Sequence, residues 1–174
     1  MCIKATPDDN VIVLVDSSFS MSEVRLKVVQ LDNLGIVKSQ FSFSYAKNCR
    51  PIELSVQNNS DLYIIINNYS SSPRSTIVRV DLKSKKLDAN NTFTGAIGMN
   101  GSAHFICNGI CIEQNNKFLI SDQNHHTVYL IDKMKFVKSI FVAENGLDSP
   151  GALAFYNGIL WIADGTNIHK FEHK

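Results

Sequence analysis

Four short apolar runs, each ending in Asp or Asn, constrain the fold of this 174-residue chain more than any other feature. They are VIVLVD (11–16), DLYIIIN (61–67), KFLISD (117–122) and ILWIAD (159–164). Each is rich in β-branched residues and has the length of a strand. Their last residues are separated by 51, 55 and 42 positions, an interval typical of a four-stranded sheet repeated along the chain.

Further strands surround each apolar run. Turn-forming Asp, Asn or Gly residues precede every run, which predicts a tight hairpin from an earlier strand. A polar loop and a third strand with alternating apolar residues follow, at 25–32, 76–82, 127–132 and 167–172. A fourth strand is predicted in the first three units, at 35–41, 85–93 and 136–141. Because one such sheet cannot bury both of its faces, successive sheets must stack face to face. The sequence therefore predicts an all-β chain, a partial or open β-propeller of about four four-stranded blades.

The predicted blades share one domain. With 44% hydrophobic residues, residues 1–174 can build one sizeable core. The repeats are predicted at about 1–48, 49–106, 107–147 and 148–174. Trp161, the only tryptophan, is predicted to pack between blades rather than against a nucleic-acid base.

Charge and cysteine content predict the compartment. The 17 basic and 16 acidic residues leave a net charge of +1, without a basic block that attracts nucleic acid at long range. No apolar window approaches the length of a signal peptide or of a membrane span. The four cysteines form no CxxC pair and are predicted to be free thiols in a reducing compartment. These features predict a cytoplasmic protein without membrane contact.

Residues 109–140 and 149–172 resemble NHL repeats. The shared pattern is a Pro-Gly or Asn-Gly start, an apolar strand, a turn, a strand ending in Asp, an Asn in the next loop and a third alternating strand. The first two units match by their period, with Asn67 in place of Asp. The chain is thus similar to the C-terminal propeller of tripartite-motif proteins. This resemblance implies NHL-like blades, a recognition role and a fragment of a longer propeller.

The strand-ending acids and amides are predicted to be structural. At every repeat, a hydrogen bond from the side chain to the following loop accounts for the residue type. A ring of carboxylates around a metal ion is the less favoured alternative. The repeat positions are Asp16, Asn67, Asp122 and Asp164.

The loops between the second and third strands supply the predicted partner-binding residues. The resemblance places these loops on the propeller face where ligands dock, and loops carry function more often than the strands that support them. Together they predict a sparse polar patch. Its members are Arg25, Arg74, Asn124, His125, His126 and Asn167.

The sequence contains no GxSxG, HExxH, P-loop or GxGxxG motif. It therefore predicts no catalytic residue, no metal site, no cofactor and no enzymatic activity. The main hypothesis is a recognition module that binds a protein partner, with single-stranded RNA as a further ligand. The alternative is a metal-dependent propeller hydrolase or lyase, of the lactonase or amidating-lyase type.

The last predicted blade has an open edge. Its third strand, NIHKFE (167–172), is followed by only two residues. An unpaired strand edge exposes backbone groups that can pair with another chain. Self-association through this edge is therefore predicted.

Overall fold

The computed structural model describes residues 2–16, 23–46, 48–58, 60–69, 74–94, 105–114, 117–141 and 143–172. These residues form fifteen strands and one short 3-10 helix, Ala143–Asn145. Within this described part, no helix is long and apolar enough to cross a membrane.

The strands form four sheets, and in each sheet the strands lie side by side in chain order. The first sheet contains β1 (Cys2–Ala5), β2 (Val11–Asp16), β3 (Glu23–Leu31) and β4 (Val37–Ala46). The second contains β5 (Cys49–Asn58), β6 (Asp61–Asn68), β7 (Arg74–Asp81) and β8 (Lys86–Phe93). The third contains β9 (Cys107–Gln114), β10 (Lys117–Asp122), β11 (Thr127–Asp132) and β12 (Lys135–Phe141). The fourth contains β13 (Pro150–Tyr156), β14 (Ile159–Asp164) and β15 (Asn167–Glu172).

The predicted fold class is confirmed, because up-and-down antiparallel sheets of this kind are the blades of a β-propeller-like fold. Among the described residues the fourth sheet has three strands and the other sheets have four. The largest difference between predicted and observed strand bounds is in β4, which is predicted at 35–41 and found at Val37–Ala46. The segment FSFSYA continues the period-two alternation, so the strand extends further than the prediction.

Tight turns form where the sequence places residues that tolerate positive φ. Asp9 joins β1 to β2 with φ of 60°, and Asn157 and Gly158 join β13 to β14 with φ of 50° and 73°. These residues adopt the left-handed region at lower cost than β-branched residues do. The predicted hairpins at these positions are therefore present.

The chain divides into two compact units, residues 1–92 and 93–174. In the first unit, Ile12 and Leu14 of the first sheet pack against Leu62 and Ile64 of the second sheet. In the second unit, Leu119 of the third sheet packs in one cluster with Leu160 and Ile162 of the fourth sheet. The single domain predicted over residues 1–174 stays a prediction.

Gly109 permits a close approach of two strands inside the second unit. A Cβ atom on Gly109 of β9 would lie 2.2 Å from the carbonyl oxygen of Gly151 in β13. That oxygen also accepts a hydrogen bond of 2.6 Å from Oγ of Ser121. The absence of a side chain at Gly109 thus lets the first strands of the third and fourth sheets meet.

Candidate functional site

Each sheet has one end at which its first strand begins, its second strand ends and its third strand begins. We call this the leading end. The loop between the second and third strands therefore lies beside the segment that enters the first strand. In the second unit, polar side chains at the leading ends of the third and fourth sheets form hydrogen-bonded pairs, and the pair of Asp122 and His125 in the third sheet constitutes the candidate site.

Asp122 is the buried acid of the third sheet. It is the last residue of β10 and is fully buried. Its Oδ1 accepts hydrogen bonds from the backbone N–H groups of Asn124 at 3.1 Å and Ile106 at 3.4 Å. A buried carboxylate requires such donors. Asp122 thereby ties the following loop and the segment before β9 to the end of β10.

His125 lies directly beside this carboxylate. Its Nδ1 is 2.6 Å from Oδ2 of Asp122, and its backbone carbonyl accepts a 2.6 Å hydrogen bond from Oγ1 of Thr127. A carboxylate oxygen accepts, so Nδ1 carries the hydrogen and Nε2 of the neutral ring carries the lone pair. The side chain is 36% exposed, and among the described residues Nε2 has no hydrogen-bond partner. This is the arrangement of a general base oriented by a carboxylate.

Two further residues of this loop, Gln123 and His126, bind neighbouring segments. Nδ1 of His126 donates to the backbone carbonyl of Asp148, in the segment before β13. The Gln123 side chain bridges two elements: its Oε1 accepts from Nδ2 of Asn108 in β9 at 2.6 Å, and its Nε2 donates to Oγ of Ser149. These contacts hold the loop that carries His125.

A second carboxylate–imidazole pair lies in the fourth sheet. Asp164 ends β14 and accepts hydrogen bonds from the backbone N–H groups of Asp148, at 3.0 Å, and Ser149. Nε2 of His169 lies 3.2 Å from Oδ2 of Asp164, and the His169 ring stacks on Phe171. Burial alone would raise the pKa of Asp164, but the two amides and His169 outweigh it and lower that pKa. This pair holds the segment that enters β13.

The predicted repeat positions have different partners. Asp122 accepts from the following loop, as expected of an Asx turn, whereas Asp164 accepts from the segment that precedes β13. Oδ1 of Asn67 accepts a 2.5 Å hydrogen bond from Oγ of Ser75, the second residue of β7. The side chain of Asp16 lies outside the described residues.

The six predicted partner-binding residues are divided between the units. Arg25 is exposed and lines a cavity of about 210 Å³ with Ser42, Phe43 and Ser44 in the first unit. Arg74, the first residue of β7, is also exposed. In the second unit, Asn124, His125 and His126 share one loop, and the exposed Asn167 begins β15. The single patch formed from all six stays a prediction.

Several polar residues at the leading ends escaped the sequence prediction. In the second unit these are the bridging side chains of Asn108, Gln123 and Ser149. In the first unit they are Asn48, Arg50 and Tyr69, which line a cavity of about 310 Å³. Most lie just before or at the start of a first strand, whereas the prediction considered only loops after second strands. The antiparallel order, which brings both segments to one end, was the available signal.

Burial makes one tyrosine and two cysteines less reactive. Burial, together with the nearby charge of Asp122, raises the pKa of Tyr129 to about 12. None of the four cysteines forms a disulfide bond, and burial raises the pKa of the Cys2 and Cys49 thiols. Within the described residues, no three His, Cys, Asp or Glu side chains converge as metal ligands.

These sheets and their order define a protein of the β-propeller class. The structure is similar to a putative 6-phosphogluconolactonase from Bacteroides uniformis, with a TM-score of 0.61 and 13% identity. It is also similar to a luciferin-regenerating enzyme, with a TM-score of 0.59 and 14% identity. A third structure, virginiamycin B lyase from Staphylococcus aureus, matches with a TM-score of 0.46 and 11% identity. No protein-family model and no curated protein sequence matches the chain.

The chain spans only part of these proteins. The matches include 99%, 96% and 98% of this chain but 53%, 66% and 83% of the lactonase, the luciferin-regenerating enzyme and the lyase. The first two structures, the putative lactonase and the luciferin-regenerating enzyme, are named as enzymes, and this finding corrects the prediction of a non-catalytic chain. That prediction relied on the absence of contiguous catalytic motifs, whereas a propeller can assemble a site from separate loops. The propeller-type part of the family resemblance is confirmed, and its narrower NHL part is not shown.

Proposed function

We propose that this chain acts as a propeller hydrolase that opens cyclic esters, with His125 as the general base. The observation that carries the proposal is the 2.6 Å contact between Nδ1 of His125 and the buried Asp122. Similarity in fold to a putative lactonase supports the choice of an ester substrate. The proposal takes the hydrolase class from the metal-dependent alternative drawn from the sequence and assigns the proton transfers to His125.

The reaction requires one proton transfer at each stage. Nε2 of His125 removes a proton from water while the water oxygen attacks the carbonyl carbon of the lactone. The bond between that carbon and the ring oxygen then breaks, and the imidazolium returns its proton to the departing oxygen. The products are a carboxylic acid and an alcohol on one open chain, so atoms and electrons balance.

Asp122 has two roles in this proposal. It keeps the hydrogen of His125 on Nδ1, which leaves the lone pair on Nε2. Its negative charge also stabilises the imidazolium that forms when His125 accepts a proton. Because Asp122 is itself held by the amide of Asn124, the imidazole is fixed before substrate binds.

The neighbours of His125 supply substrate contacts in the proposal. Asn124 and His126 are exposed on either side of it in the same loop. The backbone N–H of Asn124 is bound to Asp122, but its side-chain amide is a donor suited to the lactone carbonyl or to a hydroxyl group. In this proposal, the predicted binding residues of this loop contact a small substrate.

The NHL-like character of the repeats also remains a proposal, based on residues 109–140.

The test is hydrolysis of simple and sugar-derived δ-lactones by the purified 174-residue chain, followed through acid release. We expect the wild type to hydrolyse at least one of these lactones. His125→Ala should lower kcat by about 10²–10⁴-fold, the usual contribution of a general base. Asp122→Asn should also lower kcat, because an amide can donate to Nδ1 and favour the wrong tautomer.

His169→Ala is the matched control. It removes the imidazole of the other carboxylate–imidazole pair in the same unit, and it should leave kcat unchanged. Circular dichroism establishes that each variant is folded. Equal turnover by wild type and His125→Ala would exclude His125 as the base, and a folded wild type without lactone turnover would refute the proposed function.

A further inference from the structure

The first unit has an exposed polar cavity at the leading end of the second sheet. Its volume is about 310 Å³, and it is lined by Asn48, Arg50 and Tyr69. Asn48 lies just before β5, Arg50 is the second residue of β5, and Tyr69 follows β6. A volume of this size lies at the lower end of the range for small-molecule sites. The cavity therefore suits a ligand of about the size of a substituted monosaccharide.

Backbone contacts hold these residues around the cavity. The backbone N–H of Tyr69 donates a 2.9 Å hydrogen bond to the carbonyl oxygen of Asn48, which joins the start of β5 to the end of β6. Asn48 has φ of 66°, a left-handed conformation that Asn adopts at lower cost than most residues. Arg50 pairs with Asn67 in the ladder between β5 and β6. The backbone around the cavity is thus fixed before a ligand binds, which lowers the entropy lost on binding.

Arg50 supplies a positive charge to this cavity. Arg50, Asn67 and Ser75 form one row across β5, β6 and β7. Asn67 and Ser75 are buried, and their side chains are hydrogen-bonded to each other at 2.5 Å. Arg50 is exposed, and no carboxylate of the described residues forms an ion pair with it. Its guanidinium group is therefore available to an anion from solution.

The sequence around this end of the second sheet is basic. Residues 45–51 and 67–76 contain one Lys, two Arg and neither Asp nor Glu. Asp61 begins β6, at the opposite end of that strand, and its Oδ1 lies 2.6 Å from Nη2 of Arg79. An anion at Arg50 therefore meets positive charge without competition from a carboxylate of these two segments.

We propose that this cavity binds a small sugar phosphate, with the phosphate on Arg50 and the sugar ring against Tyr69. The guanidinium group presents N–H donors in a planar fork that fits two phosphate oxygens. Tyr69 is 55% exposed, and its ring offers an apolar face to the C–H groups of a sugar. The side-chain amide of Asn48 both donates and accepts, which suits hydroxyl groups.

A phosphate ester fits these surroundings better than a carboxylate does. It carries about two negative charges at neutral pH and has three terminal oxygens, so it gains more from a basic end of a sheet. The cavity lies in the first unit, whereas His125 belongs to the second. The proposal therefore does not depend on lactone hydrolysis.

The test is isothermal titration calorimetry of the purified 174-residue chain, with glucose 6-phosphate as the probe. We expect saturable binding at one site per chain, weakened by added sodium chloride. Glucose and inorganic phosphate should each bind at least about tenfold more weakly, since each lacks one of the two contacted groups. Glucuronate, which has a similar ring and a carboxylate, should also bind more weakly than glucose 6-phosphate.

Variants of the lining residues assign the binding to this cavity. Arg50→Gln should raise the Kd for glucose 6-phosphate at least about tenfold, because it removes the charged donors. Arg50→Lys keeps the charge without the planar fork and should give an intermediate Kd. Tyr69→Ala should raise the Kd about threefold or more, whereas Tyr69→Phe keeps the ring and should bind like the wild type.

Arg74→Gln is the matched control. It removes the same charge at the same end of the same sheet. Arg74 pairs with Asn68, however, whereas Arg50 pairs with Asn67, and adjacent residues of a strand point to opposite faces. The Kd of this variant should stay within about threefold of the wild-type value, the residual effect of a charge outside the cavity. Circular dichroism establishes that each variant is folded.

Three outcomes would overturn the proposal. A folded wild type that does not bind glucose 6-phosphate would refute the site. Equal affinity for glucuronate and glucose 6-phosphate would contradict the assignment to phosphate. Equal weakening in Arg50→Gln and Arg74→Gln would indicate attraction by overall charge and would exclude this cavity as the place of binding.

Discussion

The hydrogen-bond partners of single side chains determine which groups the loops of this protein expose. Asp122 and Asp164 occupy the same repeat position, and each accepts from two backbone amides. However, Asp122 contacts Nδ1 of the exposed His125, whereas Asp164 contacts Nε2 of the less exposed His169. The repeat pattern predicts a carboxylate at both positions. The length of the loop after each carboxylate decides which atoms lie within hydrogen-bond distance of it. One residue position therefore supports a catalytic proposal in one sheet and a structural contact in the next.

Gly109 is the residue whose substitution should cost most stability. In Gly109→Ala the new methyl group meets the Gly151 carbonyl, which cannot withdraw without losing its bond to Ser121. We expect the free energy of unfolding to fall by about 3 kcal/mol or more, measured by urea denaturation. Gly151→Ala is the matched control: its Cβ lies 3.6 Å from the carbonyl of Ala163, an ordinary contact. A loss within about 1 kcal/mol for both variants would refute the close approach.

At the scale of secondary-structure elements, contacts at the leading ends determine how each sheet begins. β13 is preceded by a segment whose amides bind Asp164, and β9 by a segment whose Ile106 amide binds Asp122. In the third and fourth sheets, the carboxylate at the end of the second strand thus positions the first strand of the same sheet. Because the contact joins distant segments, strand propensity does not reveal it.

Stability should fall at acidic pH through the Asp164 contact. Its pKa is lowered from 3.8 in the folded chain, so the unfolded chain binds the proton more readily. The stabilisation is complete above the unfolded pKa and is lost as pH falls through the folded one. We expect the free energy of unfolding, measured in urea, to decline below about pH 5, and Asp164→Asn to reduce this dependence.

The neighbouring carboxylate provides the comparison for this prediction. The Asp148 side chain is 96% exposed, whereas that of Asp164 is 3% exposed. Asp148→Asn should therefore keep the acid dependence of the wild type. Identical pH profiles for Asp164→Asn and the wild type would contradict the assigned contact.

For the whole molecule, the described residues form two compact units, 1–92 and 93–174, and each unit has its own apolar cluster. Each cluster combines side chains, mainly Ile, Leu and Val, from two successive sheets, so stacked sheets bury apolar faces against each other inside both units. The predicted self-association through the β15 edge remains a prediction, since it would use backbone pairing rather than apolar side chains.

The sequence by itself determined the strands and their order. Period-two alternation and turn residues depend on neighbours along the chain, so KFLISD, TVYLID, ILWIAD and NIHKFE occur as strands at the predicted bounds. The loop containing His125 and His126 was also identified from the sequence. The acids that end the second strands were recognised as a repeat.

Only the tertiary structure decided which partners these residues meet. The Asp122–His125 contact, the Gln123 bridge and the approach at Gly109 depend on loop paths and on sheets packing together. Burial likewise became visible only in the structure: Trp161, which the sequence predicts to pack between blades, is 40% exposed, because apolar runs in the sequence look alike whether or not a neighbour covers them. Local pattern fixes the elements, whereas contacts between distant segments fix the site and the surfaces that remain exposed.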